Sequence, residues 1–497
     1  MPSPPPQDDT LHFGTADLAV LGLYLLLLLV LGLWSSRHHR DTDGYFRGSR
    51  RIPWWATGLS IFGTQLSAIT FLAIPAQVYR TDEARTDWRY FPAQVCILLV
   101  VPVVVHWFLP VYRRLDVTSA YEYLEARFGK ASRRVGATVF LLFQLGRMGI
   151  VLFLPALALA TVTDLPVLAS ILGMGLLCSA YTVAGGIEAV IWTDVVQAVL
   201  LLAGAGLSLV LLTAGVEGGA AGMFERAAAQ GRLTWAELDL DPARPVLWVV
   251  LLGNFFAVLV PYATDQTMIQ RYMTTPDQRG AARALWANGW LTLPASLLFY
   301  AIGTALWDFY AHHPERLGEE VQADAVFPWF LAHELPTGLA GLVIAAVFAA
   351  AMSSVDSSMN SVAAVVTTDF LDGKRGLRSA RLWTLAAGAA ATLVALLLAL
   401  TGARSMVNVY VEILSLAGGC IGGLFLLGVL TREVKECEAL LGTLAGGGAA
   451  FAVRTWTGIH FFLYAAIGVG VSFGTGLLLS RLRAVLPRRL HPGRPRD

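Results

Sequence analysis

Charged residues are what this sequence has least of. Only 14% of its 497 residues are Asp, Glu, Lys or Arg, against 56% hydrophobic. Soluble globular chains carry about 25% charged residues. A water-soluble fold of this size could not hide so much apolar surface, so the excess must face lipid. Net charge is nearly absent too: +1 sets up no bulk field that would recruit nucleic acid or an acidic partner. Cysteine is scarce. Cys96, Cys178 and Cys420 lie inside apolar stretches and Cys437 in a short charged loop. No pair has disulfide-framework or metal-ligand spacing, so all four read as small, mostly buried side chains. No metalloprotease, nucleotide-cradling or nucleophile-elbow pattern stands at a sensible position. These gaps argue against an enzyme. Residues 1–15 hold prolines and acids but no basic n-region, so the first apolar run, Ala16 to Trp34, is expected to be a retained helix.

What the sequence has is long apolar runs. A membrane span needs about 20 apolar residues. About thirteen stretches meet this: 16–35, 54–78, 88–110, 134–160, 165–184, 187–214, 245–269, 285–308, 327–352 continuing to about 369, 381–402, 406–430, 438–454 and 458–480. Lys and Arg crowd alternate loops, which predicts the orientation. Arg37, Arg40, Arg47, Arg50 and Arg51 fill the first. Arg113, Arg114, Arg127, Lys130, Arg133 and Arg134 fill the third. Arg271, Arg279 and Arg283, then Lys374, Arg375, Arg378 and Arg381, follow on the same side, as does the Arg-rich tail. Intervening loops lean acidic, with Glu315, Glu319, Glu320 and Asp324. Thirteen spans close this alternation with the N-terminus outside and the C-terminus inside. The expected fold class is an all-α polytopic membrane protein.

Two spans are interrupted by small and polar residues. The second carries Gly63, Thr64, Gln65, Ser67 and Thr70, and the ninth runs from Phe348 to Asn360 through four serines and Asp356. Backbone facing lipid must be satisfied within its own helix, so such clusters suggest breaks that line a cavity. Two broken segments, well separated, point to a transporter site. Ionisable residues inside spans are functional candidates by default: here Arg147, Asp194 and Asp356. Snorkelling for Arg147 and a helix-end or ion-pair position for each Asp are the plain alternatives. Ser353, Ser354, Ser357 and Ser358 are spaced i, i+1, i+4, i+5, on one helical stripe. With freed carbonyls they would form an all-oxygen shell suited to a hard monovalent cation. Otherwise they bond back to their own helix or let helices pack closely.

Several segments resemble the sodium:solute symporter family: Gly185–Gln197, Phe348–Asn360, Asp265–Tyr272 and Gly418–Gly428. Together they are specific, and the likeness runs from about residue 11 to 480. It implies a LeuT-type inverted repeat with one extra N-terminal helix. That arrangement has a leading helix at 16–35, five-helix repeats at 54–214 and 245–430, and two trailing helices at 438–480. It implies alternating access driven by sodium, and no enzyme activity. A first sodium site would comprise Gly63, Leu66, Ala350, Ser353 and Ser354. A second would comprise Asp194, Ser353, Asp356 and Ser357. Within the family, Leu66–Phe71, Thr118–Phe128, Gln94 and Gly146-Arg147 are similar to bacterial sialic acid transporters. That similarity assigns Gln65, Ser67, Thr70, Tyr90, Gln94 and Arg147 to the solute, with Arg147 on its carboxylate, as the planar guanidinium fork suits. Gln65 stands where a threonine is expected, Tyr90 where a phenylalanine is, and Asp356 where a serine is. An insertion near Thr81–Arg85 lengthens the loop beside the site. The departures keep another carboxylate, a neutral sugar, or a proton-coupled carrier using Asp194 and Asp356 in view. The expected place is the inner membrane of the cell, and the expected partners are sodium, a small anionic solute and lipid.

Overall fold

The computed structural model describes residues 14–38, 41–66, 68–80, 87–160, 165–318, 321–336, 338–371, 376–401 and 418–485. Among these, all regular structure is helical. In chain order the helices are α1 (Thr15–Ser35), α2 (Thr42–Arg47), α3 (Trp54–Gln65), α4 (Ala68–Tyr79), α5 (Pro92–Leu115), α6 (Glu122–Arg127), α7 (Lys130–Ala160), α8 (Val167–Ala214) and α9 (Gly219–Ala229). They continue with α10 (Leu247–Thr264), α11 (Gln266–Thr274), α12 (Gln278–His312), α13 (Val326–His333), α14 (Leu339–Phe370), α15 (Gly376–Thr401), α16 (Gly418–Leu430), α17 (Glu436–Trp456) and α18 (Leu463–Val485). Among the described residues, nine helices are long and apolar enough to cross a membrane: α1, α5, α7, α8, α10, α12, α14, α15 and α18.

α8 is 48 residues long. At 1.5 Å per residue it would stretch about 72 Å, more than twice the ~30 Å hydrocarbon core. It divides at Gly186, whose φ of 55° and ψ of −150° reverse the chain. A Cβ there would sit 2.6 Å from the Tyr45 carbonyl oxygen, so only glycine fits. The Tyr45 hydroxyl, brought in by α2, lies 3.2 Å from the Thr182 carbonyl freed by that bend. The bend falls between the fifth and sixth apolar stretches of the sequence.

Two other spans are broken, and one of them differs from expectation. α3 stops at Gln65, Leu66 adopts φ −83° and ψ 80°, and the helix resumes at Ala68. The second break lies at Asp265 (φ −81°, ψ 128°), where α10 gives way to α11. Pro261 in the last turn of α10 weakens that helix end. Asp265 restarts the chain by accepting from the Thr267 N–H at 2.8 Å. The serine-rich segment, expected to be broken, is instead one continuous helix from Leu339 to Val365. Its hydroxyls bond back by one turn: Ser357 Oγ donates to Ser353 O at 2.6 Å and Ser358 Oγ to Ser354 O at 2.8 Å. Back-bonding of this kind leaves the helix intact.

α14 is the central post of the molecule, buried along almost its whole length and packed against α1, α7, α8 and α15. Its alanines and serines permit that approach. Its first turn is fixed by α1. The fully buried Asp17 carboxylate accepts from the N–H of Gly338 at 2.7 Å and of Gly341 at 2.6 Å. These are orphan donors of a helix start, and a carboxylate is a favourable partner for them. All four cysteines are free, and only Cys437 is exposed.

Asp17→Ala strips the start of α14 of its acceptor and lowers stability by about 1–2 kcal/mol, while Asp17→Asn, which keeps a carbonyl, loses less. Thermal unfolding in detergent checks this, and equal melting temperatures for all three proteins refute it.

Candidate functional site

The break after Gln65 leaves the last carbonyls of α3 without intrahelical partners. α14 supplies them. Ser353 Oγ lies 3.0 Å from Gly63 O and 3.3 Å from Ala350 O, and Ser354 Oγ donates to Thr64 O at 3.3 Å. Gly63, Ala350, Ser353 and Ser354 are thus gathered at one crossing of α3 and α14. Leu66 stands at the break itself, its N–H still bonded to Phe62 O at 2.9 Å. The cluster is all oxygen and buried. Every hydroxyl that now donates to a carbonyl could turn its lone pairs toward a hard cation.

Arg147 approaches the same break from α7. Its Nη2 lies 3.5 Å from Thr64 O, the carbonyl that Ser354 also uses. It lines a cavity of about 450 Å³ with Asp265, Tyr121, Phe143, Phe461 and Phe462, a mostly apolar wall with two charged groups. Gln65 ends α3, half-buried. Tyr90 and Gln94 are not in that lining. Gln94 accepts from Ser296 Oγ at 3.2 Å. Tyr90 packs edge-on against Phe462 at 5.2 Å, and its hydroxyl stands 3.5 Å from His460 Nε2. Ser67, the side chain of Thr70 and the 81–85 insertion lie outside the described residues.

The second residue set meets a cation the sequence reading placed elsewhere. Arg271, counted above among basic loop residues, is fully buried on α11. Its Nη2 is 2.9 Å from Asp194 Oδ2, its Nε 2.7 Å from Ser60 Oγ and its Nη1 2.7 Å from Thr267 O, and it also bonds Ser357 Oγ. Burial of a guanidinium demands this complete set of acceptors. Asp194 takes further bonds from Ser60 and, at 3.5 Å, from Thr64. Asp356 turns the other way. Its Oδ2 accepts from Tyr181 at 2.6 Å and Thr193 at 3.4 Å, both on α8. Ser357 Oγ, 3.2 Å from Asp356 Oδ1 and 3.1 Å from Thr64 Oγ1, links the two halves. Asp194 and Ser357 therefore converge on a guanidinium, whereas Asp356 faces α8 and Ser353 faces α3. The signal for Arg271 was present in the Asp265–Tyr272 segment. Proximity in sequence to a span end hid it.

The sodium:solute symporter family matches residues 45–446. The sodium/sialic acid symporter NanT of Aliivibrio fischeri is 36% identical over 471 residues, covering 92% of this chain and 91% of its own. The sodium/sialic acid symporter SiaT of Proteus mirabilis is 35% identical over 472 residues, 92% and 93% of the two chains. The structure of a Na+-coupled sialic acid symporter in a substrate-bound outward-open state superposes with a TM-score of 0.88 at 34% identity, over 95% of this chain and 98% of that one. Mhp1, a nucleobase-cation-symport-1 transporter, superposes at 0.57 with 15% identity over 89% and 95%, a likeness of fold alone. With its helices, its two broken spans and a family match over most of its length, the chain belongs to the sodium:solute symporter family.

Proposed function

We propose that this protein imports a carboxylated sugar such as N-acetylneuraminate across the cell inner membrane with sodium, by alternating access. In this reading it has thirteen spans, the N-terminus outside and the C-terminus inside, with repeats at 54–214 and 245–430. The observation that carries the proposal is the sharing of one helix break. Gly63 O contacts the Ser353 hydroxyl, and the next carbonyl, Thr64 O, contacts both Ser354 and Arg147. A cation bound by Gly63, Leu66, Ala350, Ser353 and Ser354 fixes the strand of backbone on which the solute-binding arginine rests. Gln65, Ser67, Thr70, Tyr90 and Gln94 complete the solute site around Arg147. The two relatives named for sodium and sialic acid support the pairing of ion and solute. Coupling is then a difference in solute affinity between sodium-bound and sodium-free protein, and it is reciprocal.

A second sodium belongs at Asp194, Ser353, Asp356 and Ser357. The charge count supports it: Ser357 links two fully buried carboxylates, Asp194 and Asp356, and the one buried guanidinium nearby pairs with Asp194, whose Oδ1 has no hydrogen-bond partner. One more monovalent cation balances the cluster.

Uptake of labelled N-acetylneuraminate into proteoliposomes should require inward sodium and stop when choline replaces it. Ser353→Ala should raise the sodium needed for half-maximal uptake about tenfold, or ~1.4 kcal/mol. Accumulation in sodium-free medium under an imposed pH gradient would identify a proton-coupled carrier instead. Arg147→Lys keeps the charge but loses the fork, and should weaken solute binding by about 1–3 kcal/mol. Equal binding of neutral sugars and sugar acids would remove the carboxylate from this reading. Asp356→Asn takes one charge from the second cluster and should lower sodium affinity about tenfold, read as sodium-induced thermal stabilisation. An unchanged sodium titration would place Asp356 outside the ion site.

A further inference from the structure

Gln144 is a primary amide with no exposed surface, on a helix otherwise rich in apolar residues. A buried amide must find partners for its donors and its acceptor. Its Nε2 donates to both oxygens of Asp265, at 3.1 and 3.3 Å, and its Oε1 lies 3.0 Å from Ser358 Oγ, within hydrogen-bond reach of that hydroxyl. The carboxylate, which only accepts, fixes which end of the amide is which. The two partners belong to the parts of the molecule that matter most here. Ser358 lies one turn beyond Ser354 on α14, with its hydroxyl 2.8 Å from Ser354 O. Asp265 is the break between α10 and α11, where it also accepts from Thr267 N and Oγ1 at 2.8 and 2.6 Å.

Arg147 follows Gln144 by three residues, on the same face of α7. It lines one cavity with Asp265 and lies within electrostatic reach of that carboxylate. The contacts run in a chain from one side of the cavity to the other. Arg147 meets Thr64 O, Thr64 O meets Ser354, α14 carries Ser354 to Ser358, Ser358 meets Gln144, and Gln144 holds Asp265, which lines the same cavity as Arg147.

We propose that Gln144 is a positioning residue that transmits sodium occupancy of α14 to the solute-binding arginine by controlling Asp265, a built-in carboxylate that competes with the carboxylate of the solute. The proposal rests on the symport reading above. With sodium at Ser353 and Ser354, this turn of α14 is fixed and the Ser358–Gln144–Asp265 chain stays closed. The Asp265 oxygens are then engaged by Gln144 and Thr267, and the Arg147 fork is left to the solute. Without sodium the turn loosens and Gln144 releases Asp265. Arg147 then spends its charge on its own protein, and the solute must displace an internal anion. Solute affinity rises with sodium for that reason, and by reciprocity the solute tightens sodium binding by the same factor.

The experiment measures the dissociation constant of N-acetylneuraminate at low and at saturating sodium, with sodium-induced thermal stabilisation alone as a control on the ion site. In the native protein the ratio of the two constants should exceed about fivefold, the lower end of ordinary allosteric coupling. In Gln144→Ala the response to sodium alone should persist, solute binding at saturating sodium should fall to the native sodium-free level, and the ratio should approach one. Adding Asp265→Asn, which keeps the helix cap, should restore tight solute binding without restoring its dependence on sodium. Gln144→Glu keeps the shape and the Ser358 acceptor but repels Asp265, so it gives the same result should the alanine variant not fold. A native ratio retained in Gln144→Ala and Gln144→Glu overturns the proposal, as does failure of Asp265→Asn to rescue binding. So does an equal loss of both affinities, which marks Gln144 as merely structural. No sodium dependence in the native protein overturns the symport reading itself.

Discussion

A helix that stops in the middle of a membrane leaves carbonyl groups where no water can reach them, and the molecule must supply partners from elsewhere. The break after Gln65 imposes this requirement, and the rest of the structure is arranged around meeting it. The partners are the hydroxyls of Ser353 and Ser354 on α14. They reach the break only because α14 is straight, buried and held in place. Asp17 on α1 caps its first turn, its serines bond back within the helix, and small residues let α1, α7, α8 and α15 close around it. A satisfied break of this kind remains exchangeable. Hydroxyl and carbonyl oxygens that hold one another by hydrogen bonds are also the oxygens a hard monovalent cation prefers.

The buried charges follow the same rule more strictly. An isolated guanidinium within a membrane protein is costly, so Arg271 engages Asp194, Ser60, Ser357 and a backbone carbonyl at once. This single side chain joins α11 to α3, α8 and α14. Because α11 begins at the second break, the position of Arg271 also fixes where Asp265 stands beside the cavity of Arg147. The two breaks are thereby linked through α14 and through buried polar side chains, with α7 contributing Gln144 and Arg147. Motion of one break without the other would strand a charge or a carbonyl.

Composition alone established that the excess of apolar surface faces lipid, since a chain with 14% charged and 56% hydrophobic residues cannot hide it all in a water-soluble core. Gly63 to Thr70 announced a break in the second span, because no apolar helix needs that many polar groups, and Arg147 stood out as a cation deep within a stretch that should hold none. The same logic failed for the serine stripe. Four hydroxyls at helical spacing can cap a broken neighbour or their own helix, and here Ser357 and Ser358 bond within α14 while Ser353 and Ser354 also reach α3. Spacing cannot choose between these, because the choice depends on whether another backbone lies within about 3 Å. Arg271 was read as a loop residue for a related reason. Its counter-ion is 77 positions away, and only the packing of α11 against α3 and α8 makes a span-end arginine into an interior one. The direction of Asp356, toward Tyr181 and away from the crossing of α3 and α14, was decided likewise by which helix stands opposite each face of α14. The sequence determined that polar groups lie in the membrane; which partner each of them takes was decided by long-range packing, because burial makes every such group bond to whatever the fold brings nearest.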